Sequence, residues 1–329
     1  MEVIVRSIVI DTLGSDNGPK TIIDGACLAL KEHTDIKLVF TGEHEFIENT
    51  LKENQADMSR VEIINAPEVI TNYDHPAMAI KEKTHSSLVK GLLYLNQEKE
   101  CAGLINAGST GALLVGAMVY LRQSAQLQRP ALAAILPASK GNFVCVVDTG
   151  ANVDCTSDML VMFAKYGRDF MRRMYNIAEP KIGLLSNGVE ASKGNALVKE
   201  THQRLMAEDN INFVGNFEGT NALSGDCDVL VCDGFDGNQI LKATEGCARS
   251  LITDIMDYSE KENEPKYKEL ARKLAAKYDF NSLGGAVVLG VAKPVIKAHG
   301  ASNEYTIKNT IKMLINLANN DEFYKQEEE

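Results

Sequence analysis

The sequence contains no tryptophan, and aromatic residues make up only 6% of its 329 residues. The core must therefore be built mainly from aliphatic side chains. Basic residues are also scarce, since 34 Lys and Arg stand against 45 Asp and Glu, which gives a formal net charge of −11. This balance argues against a broad nucleic-acid-binding surface, and any acidic partner would need a local basic patch.

Paired cysteine motifs are absent as well. The seven cysteines are spread along the chain without a CxxC unit, and their number is odd. This spacing fits neither a disulfide framework nor a four-ligand zinc site, so we expect reduced thiols and no metal. The opening run VIVRSIVID is too short and too interrupted for a signal peptide or a membrane span. We therefore expect a soluble, cytoplasmic protein.

Short β-branched runs alternate with longer segments of helical spacing, within a chain that is 45% hydrophobic. That alternation predicts βαβ units and a mostly parallel α/β sheet with helices on both faces. The predicted strands are 3–11, 36–41, 61–65, 102–106, 131–137, 143–148, 181–185, 211–214 and 228–232.

Prolines and hydroxyl residues mark several predicted helix starts. A proline stands in the first turn of predicted helices over 19–31 and 76–96. Ser109 or Thr110 can cap the apolar segment 110–122. Each of these helices follows a predicted strand, as βαβ units require.

Near the carboxyl end, two helical patterns meet at the charged turn YSEKENEPKYK without an intervening strand. This predicts a projecting helical hairpin over about 239–278. Its second arm, 266–277, carries the densest basic cluster, for which a solvated helix face and a docking surface are equally weighted alternatives. We expect one α/β domain over 1–320, with the hairpin inserted in it, and an acidic tail over 321–329.

Five glycine-rich turns follow predicted strands, at the carboxyl ends where open α/β sheets bind ligands. Backbone N–H groups and helix dipoles could converge there on an anion such as phosphate. Neither GxGxxG nor GxxxxGK[ST] occurs, which disfavours a dinucleotide or ATP site. Each turn alone is more simply ordinary turn chemistry, and only their joint occurrence favours function. The turns are DTLGSDNGP (11–19), NAGSTGALL (106–114), DTGANVDC (148–155), SNGVEASKGN (186–195) and DGFDGN (233–238).

These turns, together with RPALA, LKATEG and LGGAVVLGVAKPVIKAHGAS, resemble in their order the landmarks of the bacterial acyl-carrier-protein:phosphate acyltransferases, the PlsX family. The resemblance runs from about Ile8 to Ala318. It implies a Rossmann-like three-layer α/β/α sandwich related to isopropylmalate dehydrogenases and phosphotransacetylases. It also implies a homodimer that uses neither a metal nor a nucleotide cofactor.

The activity that the resemblance implies is reversible transfer of a fatty acyl group from acyl carrier protein to inorganic phosphate. The acyl phosphate would serve a membrane glycerol-3-phosphate acyltransferase in phospholipid synthesis, so at most peripheral membrane contact is expected. Here the hairpin tip reads EKENEPKYK, which is polar where the family has apolar residues and argues against membrane contact by that route. Two alternatives stay open: an NAD-dependent decarboxylating dehydrogenase of related fold, and a non-catalytic scaffold for lipid synthesis.

The resemblance points to Lys193 and Asn238 as a catalytic pair. A lysine can hold phosphate as a compact charge, and an amide can donate to the oxyanion of the tetrahedral intermediate. By residue type alone, Lys193 could equally be a surface lysine and Asn238 a helix N-cap. The segment KPVIKAHGAS predicts a strand end before a glycine, with Lys297 and His299 on alternating sides. His299 could carry a proton or bind phosphate, although a structural role is commoner for a lone histidine, and Lys297 could add positive charge.

Direct attack of phosphate on the thioester is the preferred mechanism, and an acyl-enzyme through Cys155 is the minor alternative. The arm 266–277 and a cluster on 165–173 are the candidate docking surfaces for the acidic carrier protein. For Asp11 and Asp16, an Asx-turn role is the simpler alternative to phosphate or cation binding. The other candidate phosphate-binding residues are Gly14, Asn106, Gly108, Ser109, Thr110, Gly111, Asn152, Asn195, Asp233, Gly234 and Gly237.

Overall fold

The structure is a computed structural model that describes residues 6–121, 129–278 and 284–319. The chain divides into two compact units. Unit 1 comprises Met1–Pro130 and Leu283–Glu329, and unit 2 comprises Ala131–Ser282. Because one domain can contain two compact units, a single domain over 1–320 stays a prediction. The expected acidic tail, 321–329, lies outside the described residues.

The strands confirm the predicted alternation, with ends that shift by a few residues. Nine of the strands in the described residues correspond to the predicted ones. Of the other two, near residue 290, one ends at Lys297, where a strand end was predicted, and the other, only four residues long, escaped prediction. The strands are β1 (Arg6–Asp11), β2 (Ile36–Gly42), β3 (Val61–Asn65), β4 (Cys101–Asn106), β5 (Ala131–Pro137), β6 (Phe143–Val147), β7 (Lys181–Leu185), β8 (Asn212–Phe217), β9 (Val229–Val231), β10 (Ala286–Leu289) and β11 (Val295–Lys297).

The helix starts predicted near residues 19, 76 and 110 are confirmed at Gly18, Pro76 and Thr110. The single helix predicted over 76–96 is wrong, because Ser86 caps a new helix by accepting a hydrogen bond from the Val89 amide at 3.4 Å. The helices are α1 (Gly18–Glu32), α2 (His44–Glu53), α3 (Pro76–Glu82), α4 (Ser87–Gln97), α5 (Thr110–Tyr120), α6 (Ser157–Tyr175), α7 (Ala196–Met206), α8 (Gly234–Lys261), α9 (Pro265–Tyr278) and α10 (Glu304–Asn319).

In unit 1 the strand order is β3-β2-β1-β4-β11-β10. All neighbours pair in parallel except β10 and β11. Ile8, Val9 and Ile10 of β1 are fully buried, as expected for a parallel strand covered on both faces. Helices α1, α2 and α10 pack together against the sheet, while α3, α4 and α5 form a separate layer. Unit 1 is therefore a helix–sheet–helix sandwich.

In unit 2 the strand order is β5-β6-β9-β7-β8, and only β5 and β6 pair in antiparallel fashion. Helices α6 and α7 contact each other and the sheet, whereas α8 and α9 contact each other and the strands β5 and β6. The prediction of a mostly parallel three-layer α/β fold is thus confirmed in both units.

The predicted helical hairpin is present as α8 and α9, although α8 begins at Gly234 rather than near residue 239. The turn between the helices is closed by the Ser259 hydroxyl, which donates to the Glu264 carbonyl at 2.9 Å. Tyr258 and Tyr267 pack edge to face with their ring centroids 5.3 Å apart. Among the described residues, no helix combines the length and the apolar character needed to cross a membrane.

Candidate functional site

In unit 1, three polar side chains lie side by side at the ends of β1, β4 and β11. The strand register places Asp11 opposite Asn106, and Asn106 opposite Lys297. We call these three residues the unit 1 row. The Asn106 amide donates to the Asp11 carboxylate at 2.7 Å, and all three residues are at most 9% exposed. The row is therefore buried and polar, and Asn106 and Asp11 hold each other by a hydrogen bond.

Burial raises the pKa of Asp11, the carboxylic acid of this row. Desolvation raises the pKa of Asp11 to about 6. Hydrogen bonds from Ser87 and Asn106 and the charge of Lys297 lower this pKa, but they do not offset the desolvation. Lys297 donates to the Ala298 carbonyl. An ionised carboxylate repels a phosphate, so direct contact with phosphate suits Lys297 better than Asp11.

The loops that follow the unit 1 row approach each other closely. Gly14 has a φ of +86°, and a Cβ there would lie 3.1 Å from the Gly108 Cα, so both positions need a small residue. The Asp16 amide donates to the Gly300 carbonyl at 2.9 Å. Ser109 is the N-cap of α5 and accepts from the Ala112 amide at 3.4 Å. Thr110 and Gly111 then form the first turn of that helix.

His299 is exposed beside these loops. Its Nδ1 accepts a hydrogen bond from the Ala301 amide at 3.1 Å. In the neutral ring the proton therefore sits on Nε2, which can donate to an anion. A role of His299 as a phosphate ligand or proton carrier stays a prediction.

In unit 2, the turn after β6 is built around the buried Asp148. Its carboxylate accepts from the amides of Leu132, Gly150, Ala151 and Asn152 at 2.7–3.1 Å, and from the Asn152 side chain at 2.8 Å. Burial nevertheless raises the pKa of Asp148. Asn152, predicted as a phosphate ligand, thus uses its amide on Asp148 and fixes the turn.

The start of α8 packs directly on this turn. The Gly234 amide donates to the Asn152 carbonyl at 2.7 Å, and a Cβ on Gly237 would overlap the Asp148 carbonyl oxygen. Asp233 caps the helix by accepting from the Asp236 amide at 2.8 Å. The N-cap alternative for Asn238 is therefore wrong, because Asp233 occupies that position.

Asn238 lies one turn into α8, half-buried against Gly150, where a Cβ would come within 3.9 Å of the Asn238 Cβ. Asp233 and Asp236 precede it, and burial followed by the charge of Asp233 raises the pKa of Asp236. Two carboxylates make this helix terminus a poor anion site by itself. The Asn238 amide remains as a neutral donor.

Lys193 lies in the turn between β7 and α7. Its backbone amide donates to the Glu190 carbonyl at 3.0 Å, and its aliphatic stem covers Gly188. Asn195 caps α7 by accepting from the Val198 amide at 2.9 Å, so its side-chain oxygen is used within the helix. The first turn of α7 contains no acidic residue, and Lys193 is exposed. An exposed cation before such a helix start favours an anion.

The strand register places the two turns of unit 2 at one sheet edge. Val231 pairs with Val147 of β6 and with Leu184 of β7, and all three strands are parallel. The turns that carry Asn238 and Lys193 therefore leave the same edge of this sheet. Sequence reasoning missed Asp148, although its place directly after an apolar run was a signal for it. It also missed Asn216, which has no neighbouring motif.

Cys155, the candidate acyl acceptor, lacks the character of a nucleophile. Burial, followed by the charge of Asp148, raises the pKa of Cys155 to about 12. The Cys155 thiol donates to the Asn152 carbonyl, with 3.4 Å between sulfur and oxygen. At neutral pH it is a thiol rather than a thiolate.

Comparison with known proteins gives a consistent result. Residues 6–325 match the family described as "Fatty acid synthesis protein". The chain is 39% identical over 327 residues to a phosphate acyltransferase from Clostridium perfringens, covering 98% of this chain and 96% of that protein. It is 39% identical over 316 residues to a phosphate acyltransferase from Dictyoglomus thermophilum, covering 93% and 92%.

Among solved structures, the chain is similar to a phosphotransacetylase from Streptococcus pyogenes. The TM-score is 0.62 with 15% sequence identity, over 98% of this chain and 96% of that one. At this identity the likeness shows the fold alone. It agrees with the three-layer architecture described for the two units.

Proposed function

We propose, since the chain belongs to the phosphate acyltransferase family, that it transfers a fatty acyl group from acyl carrier protein to inorganic phosphate. The chain is an acyltransferase that uses phosphate. To this we add that acyl carrier protein is the acyl donor and that the acyl phosphate is used in phospholipid synthesis. The observation that carries the proposal is in unit 2, where Lys193 and Asn238 follow the carboxyl ends of the neighbouring strands β7 and β9 at one edge of the sheet.

The chemistry requires little from the protein beyond positioning and charge. A phosphate oxygen attacks the thioester carbonyl, the carbonyl oxygen becomes negative, and the carrier-protein thiolate leaves. Phosphate is already ionised at neutral pH, so no protein nucleophile is needed. We assign phosphate binding to the ammonium of Lys193 and donation to the oxyanion to the amide of Asn238.

The half-buried thiol of Cys155 supports direct transfer over an acyl-enzyme. A nucleophilic cysteine must be ionised, and the pKa of Cys155, raised to about 12, opposes this. The other candidate phosphate ligands, above all Lys297 and His299, stay predictions. So do the homodimer, the cytoplasmic location and supply of the acyl phosphate to a membrane glycerol-3-phosphate acyltransferase.

For the acidic carrier protein we propose docking on α9. The Lys273–Glu269 pair on this helix, at 2.7 Å, has side chains that are 73% and 68% exposed. Such pairs are worth about 0–1 kcal/mol and exchange partners easily. On α6, by contrast, Arg168 is 16% exposed and is already held by Asp169 at 2.7 Å and the Asn210 carbonyl at 3.0 Å. The basic residues of α9 are therefore easier to recruit.

The donor and the acceptor are tested together by incubation with palmitoyl-acyl carrier protein, with and without phosphate, following the free carrier-protein thiol. We expect release that depends on phosphate and yields acyl phosphate. Release that does not depend on phosphate, or no release, would contradict the proposed function.

The docking surface is tested by Lys273→Glu, with Lys52→Glu as a matched control. Lys52 also forms an i,i+4 pair with a glutamate, Glu48, at 2.8 Å, but it lies on α2 of unit 1. We expect Lys273→Glu to raise the KM for acyl carrier protein severalfold without changing the KM for phosphate. Equal effects of the two substitutions would remove α9 as the docking surface.

A further inference from the structure

We propose that Asn216 and His202 are positioning residues that hold the Lys193 turn, an inference that rests on the proposed function of Lys193. Neither residue belongs to a glycine-rich turn. Asn216 lies on β8 and His202 on α7, the helix that follows the turn. Asn216 bonds to the turn, and His202 bonds to Asn216, so the three form one chain of hydrogen bonds.

The first link joins Asn216 to the backbone of the turn. Asn216 is 5% exposed, and its Nδ2 donates to the Glu190 carbonyl at 2.9 Å. The same carbonyl accepts from the Lys193 amide at 3.0 Å. One oxygen therefore connects a buried side chain to the backbone of the lysine.

The second link fixes the state of His202. The Glu190 carbonyl can only accept, so the NH₂ group of Asn216 must face it and the Asn216 Oδ1 must face away. That Oδ1 lies 2.9 Å from the Nδ1 of His202. Because Oδ1 can only accept, His202 carries a proton on Nδ1. The ring is also held edge to face by Phe213, with 5.1 Å between centroids.

The chain of hydrogen bonds restricts where the lysine can go. The turn is tied at its other end by the Gly194 amide, which donates to the Asn187 side chain at 2.9 Å. Lys193 sits between these two attachments, on an exposed turn. A cation held near its working position binds phosphate with less reorganisation. Loss of the Asn216 link should therefore weaken phosphate binding without disturbing the acyl donor.

The decisive variant is Asn216→Asp. It preserves size and the acceptor for His202, but it places a carboxylate oxygen against the Glu190 carbonyl. Asn212→Asp is the matched control, because Asn212 lies on the same strand and its Nδ2 donates to the Glu179 carbonyl at 3.3 Å, away from the Lys193 turn. We expect the KM for phosphate to rise about tenfold in Asn216→Asp only, with the KM for acyl carrier protein unchanged.

His202 is tested by a pair of substitutions. His202→Asn retains an N–H donor near the position of Nδ1 and should stay close to the wild type, whereas His202→Phe has no donor and should raise the KM for phosphate severalfold. A purely structural role would make both variants equally defective. Equal behaviour of the pair would overturn the assignment of His202.

Two readouts do not depend on activity. Nitrogen NMR should find the Nδ1–H form of His202, and amide exchange at Lys193 should be at least about tenfold faster in Asn216→Asp than in Asn212→Asp. An Nε2–H tautomer, or equal exchange rates, would overturn the inference. If Lys193→Ala abolishes turnover while Asn216→Asp matches the wild type, the inference fails and the proposed function stands. Absence of phosphate-dependent release in the wild type would instead remove the proposed function.

Discussion

Each unit places a lysine at or beyond the carboxyl end of a strand, but the surroundings of the two lysines differ. In unit 1, Lys297 stands at a strand end beside Asp11 and Asn106, and all three side chains are buried. In unit 2, Lys193 stands on an exposed turn beyond a strand end, with no acid in the first turn of the following helix. The lysine of unit 1 has its counter-charge within the fold, whereas that of unit 2 is open to an incoming anion. Accessibility therefore distinguishes the two lysines.

The comparison would break first at Lys193. We expect Lys193→Ala to lower kcat/KM for phosphate about 10³-fold, equivalent to about 4 kcal/mol, because the transition state loses its cation. Lys199→Ala is the matched control, since Lys199 is an exposed lysine on the adjoining helix α7. Steady-state thiol release measures both. Unchanged turnover in Lys193→Ala would remove the assigned role and leave unit 1 as the stronger candidate.

The buried row of unit 1 is tested by pH. The pKa of Asp11 is raised in the folded state from 3.8 to about 6. Between these values the folded protein binds more protons than the unfolded chain, so its free energy of unfolding falls as pH rises. The contribution of Asp11 is absent below pH 3.8 and reaches a penalty of about 3 kcal/mol above pH 6.

The measurement is denaturant unfolding of the wild type and Asp11→Asn across this pH window. The Asn variant cannot titrate at this position. As pH rises, the wild type should therefore lose up to about 3 kcal/mol of stability relative to Asp11→Asn. A difference that is constant with pH would mean that the unit 1 row is wetter than its geometry indicates. The contrast with the exposed turn of unit 2 would then weaken.

Local chemistry explains why so much of the fold followed from the sequence. The apolar run 181–185 became β7 over the same residues, because an aliphatic strand between two helices has one stable place in a parallel sheet. Pro19 marked the start of α1 for a similarly local reason. Strand β10 escaped prediction because it has only four residues, too few to show a clear pattern.

The site followed from the sequence only in part. The glycine-rich turns revealed the strand edges, and the family resemblance pointed to Lys193 and Asn238. The hydrogen-bonding role of each residue within a turn did not follow from the sequence. Asn152 and Asn195 are chemically able to bind phosphate, but their side chains bond to Asp148 and to the Val198 amide. Asn216 is distant in sequence from the turn it holds, so no spacing could reveal it.

A smaller effect is expected where α8 meets the Asp148 turn. A Cβ at Gly237 would overlap the Asp148 carbonyl, so Gly237→Ala should cost about 2 kcal/mol of stability and displace Asn238. Gly246→Ala is the matched control on the same helix, because nothing lies within 4 Å of its added Cβ. There we expect a gain of about 0.5–1 kcal/mol. Thermal unfolding and turnover report both, and equal stabilities would show that the helix does not depend on this close approach.

The smallest expected effect is at Cys155 of unit 2. Its thiol is half-buried, and partial burial together with the charge of Asp148 raises its pKa to about 12. Cys155→Ser keeps a hydroxyl donor for the Asn152 carbonyl, which the thiol sulfur approaches to 3.4 Å. We therefore expect phosphate-dependent turnover within about twofold of the wild type. Mass spectrometry after mixing with acyl donor, without phosphate, should find no acylated protein. A serine variant that loses turnover, or a covalent adduct on Cys155 in the wild type, would make the thiol the first acceptor. The acyl group would then reach phosphate in two steps, first to the Cys155 sulfur and then to the phosphate held by Lys193.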